Sequence, residues 1–153
     1  MSLLGQSAPD FNLLDTGRET VSLSELRGGK VVLVFFPAAF TGVCEKELCS
    51  FRDALAKFND LGSTVLGISV DSPFSNAAFA SKNDLNFKVL SDYTRSAITA
   101  YDIQVENFAG MAGYVAANRA VFVVDEQGLV TYEWIAPNLG TEPNYDEVRD
   151  AVS

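Results

Sequence analysis

The sequence predicts an α/β protein: a mixed central sheet with helices on both of its faces. Two apolar runs carry that expectation. Val31-Val32-Leu33-Val34-Phe35-Phe36 and Thr64-Val65-Leu66-Gly67-Ile68-Ser69-Val70 read as buried parallel strands. Between them Cys44, Leu48, Phe51, Leu55 and Phe58 recur at spacings of four, three, four and three, one face of a helix. Strand, helix and strand form one right-handed crossover unit. Late in the chain, residues 120–124 and 129–135 flank the turn Asp125-Glu126-Gln127-Gly128 and read as a hairpin, which makes the sheet mixed.

The other elements follow in order. Residues 1–5 read as a loose end. Residues 8–14 and 19–22 read as two short strands, with Asp15-Thr16-Gly17-Arg18 supplying the turn. Ser22 or Ser24 is placed to cap a short helical turn around Leu26, which Gly28-Gly29 ends. After the first long strand, Pro37 and Gly42 break the chain and Thr41 is placed as the N-cap of the helix. That helix runs to about Leu61, where Gly62 fits its stop. Ser72-Pro73 opens a helix through Phe79 to about Asn83. Residues 88–90 read as a short strand and 94–101 as a brief helix. Residues 107–118 are rich in Gly and Ala with little periodicity and read as a loop. Pro143 precedes a final short helix over 145–152. No repeat, low-complexity tract or linker interrupts the 153 residues, so one domain (1–153) with a sizeable core is expected.

Composition narrows the chemistry. An apolar content of 48% with 20% charged residues is ordinary for a globular protein. No apolar run is long enough to span a bilayer. The N-terminus lacks the basic and apolar segments of a signal peptide, so the cytoplasm is the expected compartment. A net charge of −9 argues against nucleic acid and anionic membranes as partners. Histidine is absent, which removes Cys–His and Ser–His catalysis and the usual zinc or copper ligand sets. Two cysteines in a cytosolic chain point to reactive or redox residues before a structural staple.

Cys44 falls in the first turn of its helix. Unpaired backbone N–H groups and the positive end of the helix dipole lie there. A thiolate is stabilised in that position, and a sulfur that ionises at cellular pH is a nucleophile. The alternative is a small buried hydrophobe, since free cysteine is among the most buried residue types. Cys49 lies about 140° around the helix from Cys44, away from the apolar stripe. Its helical neighbours are Glu45, Lys46, Arg52 and Asp53, so a core role is not expected for it. With no imidazole available, the positive charge near a thiolate falls to arginine, lysine, hydroxyls or backbone dipoles. Arg119 directly precedes the apolar strand at 120–124 and is therefore fixed at a sheet end. Taken alone, it also reads as an ordinary strand-edge charge.

Pro37-x-x-x-Thr41-x-x-Cys44, at this strand-to-helix junction, resembles the active-site pattern of the peroxiredoxins, thiol peroxidases built on a thioredoxin-like fold. Glu47 is similar to the glutamate of that pattern. The resemblance runs from Gly5-Gln6-Ser7-Ala8-Pro9-Asp10-Phe11 to Arg119-Ala120-Val121-Phe122-Val123-Val124-Asp125. It is similar to the small peroxiredoxins of the AhpE and bacterioferritin-comigratory (PrxQ) types.

The resemblance implies a thioredoxin-like sheet with an N-terminal β-hairpin extension. It implies that Cys44 attacks a peroxide O–O bond and becomes a sulfenic acid. Thr41 would offer its hydroxyl to the sulfur or the peroxide, with backbone N–H groups near Val43 and Cys44 as further donors. Pro37, lacking an N–H, would shield the sulfur and shape the turn. Arg119 matches the family's arginine, and Glu47 would orient an arginine. Phe40 and the segment around Phe108 are expected at an apolar rim. The Cys44-x4-Cys49 spacing resembles the PrxQ pair, in which the second cysteine resolves the sulfenic acid as a disulfide. Five helical residues rise about 7.5 Å, whereas a disulfide needs Cα atoms within roughly 7 Å. The bond therefore requires the first turns to unwind. The alternative is an idle Cys49 and an external resolving thiol.

By the same resemblance the substrates are hydrogen peroxide or alkyl hydroperoxides and the reductant is thioredoxin- or glutaredoxin-like. No cofactor is needed, and a homodimer is the assembly suggested. Two other readings stand beside this one: a general dithiol oxidoreductase, which usually spaces its cysteines by two residues, and a peroxide sensor oxidised only as a signal.

Overall fold

The computed structural model describes residues 2–153; Met1 of the expected loose end lies outside them. The chain forms β1 (Asn12–Leu14), β2 (Thr20–Ser22), β3 (Lys30–Phe35), α1 (Gly42–Asp60), β4 (Ser63–Ser69), α2 (Pro73–Lys82), β5 (Lys88–Ser91), α3 (Ser96–Ala100), β6 (Gln104–Val105), β7 (Ala116–Ala117), β8 (Ala120–Val124), β9 (Val130–Ile135) and α4 (Tyr145–Ala151). Seven strands make one sheet in the order β2-β1-β5-β4-β3-β8-β9. The pairs β3–β4 and β4–β5 are parallel, while β8 runs antiparallel to both β3 and β9. The hairpin β1–β2 joins the far edge through β5. This is the mixed sheet and N-terminal hairpin that the sequence predicts.

β3 is apolar from Val31 onward because both faces of the sheet are covered. Val31, Leu33 and Phe35 point into one core, with Leu66, Ile98, Tyr101 and Phe122. Val32, Val34 and Phe36 point into the other, with Leu48, Phe51 and Phe58 of α1, Phe79 of α2 and Val148 of α4. Cys44 belongs to this second core. The helical stripe read from the sequence is therefore the face of α1 that lies on the sheet.

Local signals set the boundaries. Ser72 accepts a hydrogen bond from the Ser75 N–H with Pro73 in the first turn of α2, and Asn144 accepts from the Glu147 N–H to start α4. α3 takes its cap from outside the helix: the Asp92 carboxylate accepts from the N–H groups of Ala97 (3.0 Å) and Ile98 (2.8 Å). Gly62, with φ +73°, closes the α1–β4 connection.

Two segments differ from expectation. Residues 2–5 are tied down and not loose. The Gly5 N–H donates to the Val130 carbonyl at 2.8 Å, and the Leu3 N–H donates to Glu133 Oε1 at 2.9 Å. The loop expected at 107–118 contains a 3₁₀ turn, Phe108–Gly110, and ends in β7, which pairs with β6 as a two-stranded ribbon. Strands of two residues are too short to show a period, so this pairing leaves no pattern in the sequence. Among the described residues no helix is long and apolar enough to cross a membrane.

Phe51 is fully buried where α1 meets the sheet and α4; its ring meets Phe58 at 5.9 Å and Tyr145 at 5.3 Å. Phe51→Ala is expected to cost about 3–5 kcal/mol, read as a lowered urea midpoint.

Candidate active site

The loop between β3 and α1 builds the site. The Ala39 N–H donates to Asp71 Oδ2 at 2.8 Å, fixing the loop to the end of β4. Phe40 adopts a left-handed backbone, φ 65°. That conformation costs a bulky residue on the order of 1–3 kcal/mol, and the ring's contacts oppose the cost. It meets Phe79 edge-on at 5.5 Å and lies 5.6 Å from Lys82 Nζ. Phe40 is thus directed to α2 and does not line the cavity at the site. Thr41 follows as the N-cap residue of α1, but its hydroxyl makes no cap bond; it donates to the Ala38 carbonyl at 2.9 Å. Cys44 is the third residue of α1, so its N–H and that of Val43 are among the unpaired first-turn donors.

Arg119, at the start of β8, reaches across to this turn. Its Nη1 donates to Cys44 Sγ at 3.3 Å and to Glu47 Oε1 at 3.0 Å. Its Nε and Nη2 donate to the Leu139 carbonyl at 3.2 and 2.9 Å. All three side chains are buried: Cys44 and Glu47 are 0% exposed and Arg119 is 2% exposed. Burial pushes the Glu47 carboxyl up to about 7, with Arg119 pulling it down and Glu142 adding to the rise. Burial works against the Arg119 charge, but the facing Cys44 and Glu47 outweigh it and raise the guanidinium above its ordinary value. The two acids thus hold the guanidinium charged, while burial outweighs the pull of that cation on Glu47.

A cavity of about 200 Å³ opens above the cluster, lined by Pro37, Thr41, Gly42, Val43, Phe108, Arg119 and Leu139. The structure therefore brings Pro37, Thr41 and Arg119 to one mouth and joins Cys44, Glu47 and Arg119 beneath it. Thr41 makes no hydrogen bond to Cys44. Phe108 is at the rim, as expected.

Cys49 is set apart. It is half-buried, donates to Asn83 Oδ1 at 3.5 Å and is a free thiol, as is Cys44. Arg52 Nη1 donates to the Asn83 carbonyl at 2.6 Å, and Glu45 pairs with Lys82 at 2.9 Å. These contacts hold the first half of α1 to α2, with both cysteines in unbroken helix.

The Leu139 carbonyl, which takes two guanidinium bonds, is absent from any sequence reading because it is a backbone atom. The Asp71 anchor is likewise invisible, although Asp71-Ser72-Pro73 marks a turn. Burial of Glu47 was accessible in principle: it lies three residues from Cys44 and four from Phe51, within the apolar stripe.

Residues 4–133 match the AhpC/TSA family. The chain is 37% identical over 131 residues to a putative peroxiredoxin bcp of Coxiella burnetii, spanning 86% of this chain and 87% of that protein. It is 41% identical over 132 residues to alkyl hydroperoxide reductase E of Mycobacterium tuberculosis, spanning 84% and 82%. Among solved structures, peroxidoxin BcpB of M. tuberculosis superposes with a TM-score of 0.86 at 27% identity, over 99% of this chain and 97% of that one. Xanthomonas campestris peroxiredoxin Q superposes with a TM-score of 0.81 at 26% identity, over 93% and 89%. The fold is thus the thioredoxin-like one that the resemblance implied, and the chain belongs to the AhpC/TSA family as a peroxiredoxin-type thiol peroxidase.

Proposed function

We propose that Cys44 is the peroxidatic residue and that hydrogen peroxide or small organic hydroperoxides are its substrates. The observation that carries the assignment is the 3.3 Å contact from Arg119 Nη1 to Cys44 Sγ at the first turn of α1. A fixed guanidinium and unpaired N–H groups stabilise the thiolate without an imidazole. The thiolate attacks the terminal peroxide oxygen: the S–O bond forms and the O–O bond breaks. Sulfur is oxidised to the sulfenic acid, and the departing oxygen takes a proton to become water or alcohol. Negative charge develops on that oxygen beside Arg119 and the first-turn N–H groups, where preorganised donors count most. The Thr41 hydroxyl donates to Ala38, which leaves its oxygen able to accept from a peroxide O–H. Pro37 closes one side of the cavity and carries no N–H to compete.

Cys49 is the proposed resolving thiol, recycled by a thioredoxin- or glutaredoxin-like donor in the cytoplasm, with a homodimer as the proposed assembly. Forming the Cys44–Cys49 bond requires the first turns of α1 to unwind, releasing the Glu45–Lys82, Phe40–Phe79 and Cys49–Asn83 contacts. The number of ties between α1 and α2, the 2.6 Å Arg52–Asn83 bond among them, supports one competing reading, in which an external thiol reaches Cys44 and Cys49 stays bound to α2.

Stopped-flow peroxide reduction with mass spectrometry of the products tests both. Cys44→Ser should abolish peroxide reduction. Cys49→Ser should still consume one equivalent of peroxide but lose turnover with a thioredoxin-like donor; normal turnover would select the external thiol. Arg119→Lys keeps a charge but loses the fork that Leu139, Glu47 and Cys44 share. Its second-order rate constant should fall by about 10²–10³. Lys82→Ala loosens α1 from α2 and should speed disulfide formation several-fold, measured on the pre-formed sulfenic acid.

A further inference from the structure

The buried cluster places one cation between two acids. A single nitrogen, Arg119 Nη1, lies 3.3 Å from Cys44 Sγ and 3.0 Å from Glu47 Oε1. The other guanidinium bonds go to the neutral Leu139 carbonyl. Ionising both Cys44 and Glu47 would leave net negative charge among side chains that water barely touches, which is strongly disfavoured.

Among the described residues, Arg119 is the positive group that acts on Glu47. Its Oε2 is buried and has no hydrogen-bond partner among the described residues. Glu142, in the loop before α4, is a like charge acting on it. Lys46 pairs with Glu142 at 3.1 Å, and the Tyr145 hydroxyl of α4 donates to Glu142 at 2.7 Å. Both neighbours are thus committed to Glu142.

We propose that Glu47 holds the proton that Cys44 gives up on ionising, so that sulfur and carboxyl together carry one proton, and that Glu47 releases it when the sulfur is oxidised. The inference rests on the peroxidase reading of Cys44. The carboxyl raised to about 7 by burial fits this role.

The proton balance closes. In the reduced state the thiolate, the neutral Glu47 carboxyl and the Arg119 cation sum to zero charge. Attack transfers two electrons from sulfur into the breaking O–O bond, and the departing alkoxide or hydroxide needs one proton. The sulfenic acid is neutral, so Arg119 then faces Glu47 alone and the carboxyl ionises, giving up one proton. Glu47 does not touch the peroxide. It is a positioning residue that acts through Arg119 by setting which acid the cation neutralises.

Infrared difference spectroscopy on the full chain tests the proposal. Reduced wild type near neutral pH should show a protonated-carboxyl band that is missing in Glu47→Gln and vanishes after one equivalent of peroxide. Cys44→Ser keeps Glu47 but removes the competing anion, so the band should be missing there at the same pH. In weak buffer, wild-type oxidation should draw no proton from solution, and Glu47→Gln should draw one per peroxide. An ionised Glu47 beside a spectroscopically visible thiolate, or a band that oxidation leaves unchanged, overturns the proposal. Failure of peroxide to oxidise Cys44 at all counts instead against the peroxidase reading.

Stability gives a further readout. A carboxyl raised from 4.5 to about 7 in the folded state contributes stability that is full below pH 4.5 and lost as pH rises through 7. The stability of wild type relative to Glu47→Gln should therefore fall across that window. A level difference overturns the proposal.

Discussion

The structure around Cys44 depends on keeping one guanidinium charged and immobile out of water. A buried cation is costly unless its donors are satisfied and its charge is balanced. Arg119 meets both conditions with partners from three parts of the chain: α1 supplies Cys44 and Glu47, the segment after β9 supplies the Leu139 carbonyl, and β8 supplies the backbone that holds the arginine. Each tie crosses between elements that the sheet has already brought together, since β3 leads into α1 and pairs directly with β8. The fold thus aims the charge at Cys44 in advance, and the proposed reaction would need little reorganisation there.

The same arrangement places order and lability side by side. The cation end of the site is held by bonds from a buried guanidinium to the buried Cys44 and Glu47 and to the carbonyl of the half-buried Leu139. The other end, where α1 meets α2, is held by an exposed pair, Glu45 with Lys82, a half-exposed Phe40 ring and one weak sulfur contact to Asn83. Pairs of that kind contribute little individually. In the proposed cycle it is this second junction that opens, and the 2.6 Å bond from Arg52 to the Asn83 carbonyl is the strongest contact to be released there.

Much of this was legible in the sequence because it is written in apolar patterning. The runs at 31–36 and 64–70 and the stripe beginning at Cys44 have only one economical burial: on a covered sheet with one helix across it. Pro37, Thr41 and Gly42 mark the junction that brings Cys44 into a first turn. The position of Arg119 before β8 was visible, although its role came from the resemblance and not from its spacing. What escaped notice was carried by atoms without a side-chain signature or by contacts over long separations. The β6–β7 ribbon is too short for periodicity. The tether of residues 2–5 to β9 joins Gly5 to the Val130 backbone and Ser2 and Leu3 to the Glu133 side chain, across more than 120 residues of sequence. The hydroxyl of Thr41 turns to Ala38, a choice fixed by the loop's path and not by residue type.

The Leu139 carbonyl lies six residues past the end of the stretch that matches the family, residues 4–133. Two of the five guanidinium donors thus depend on a turn beyond the stretch that matches the family. A change in the length or shape of the segment after β9 would alter the grip on Arg119 with no change at Pro37, Thr41, Cys44 or Glu47.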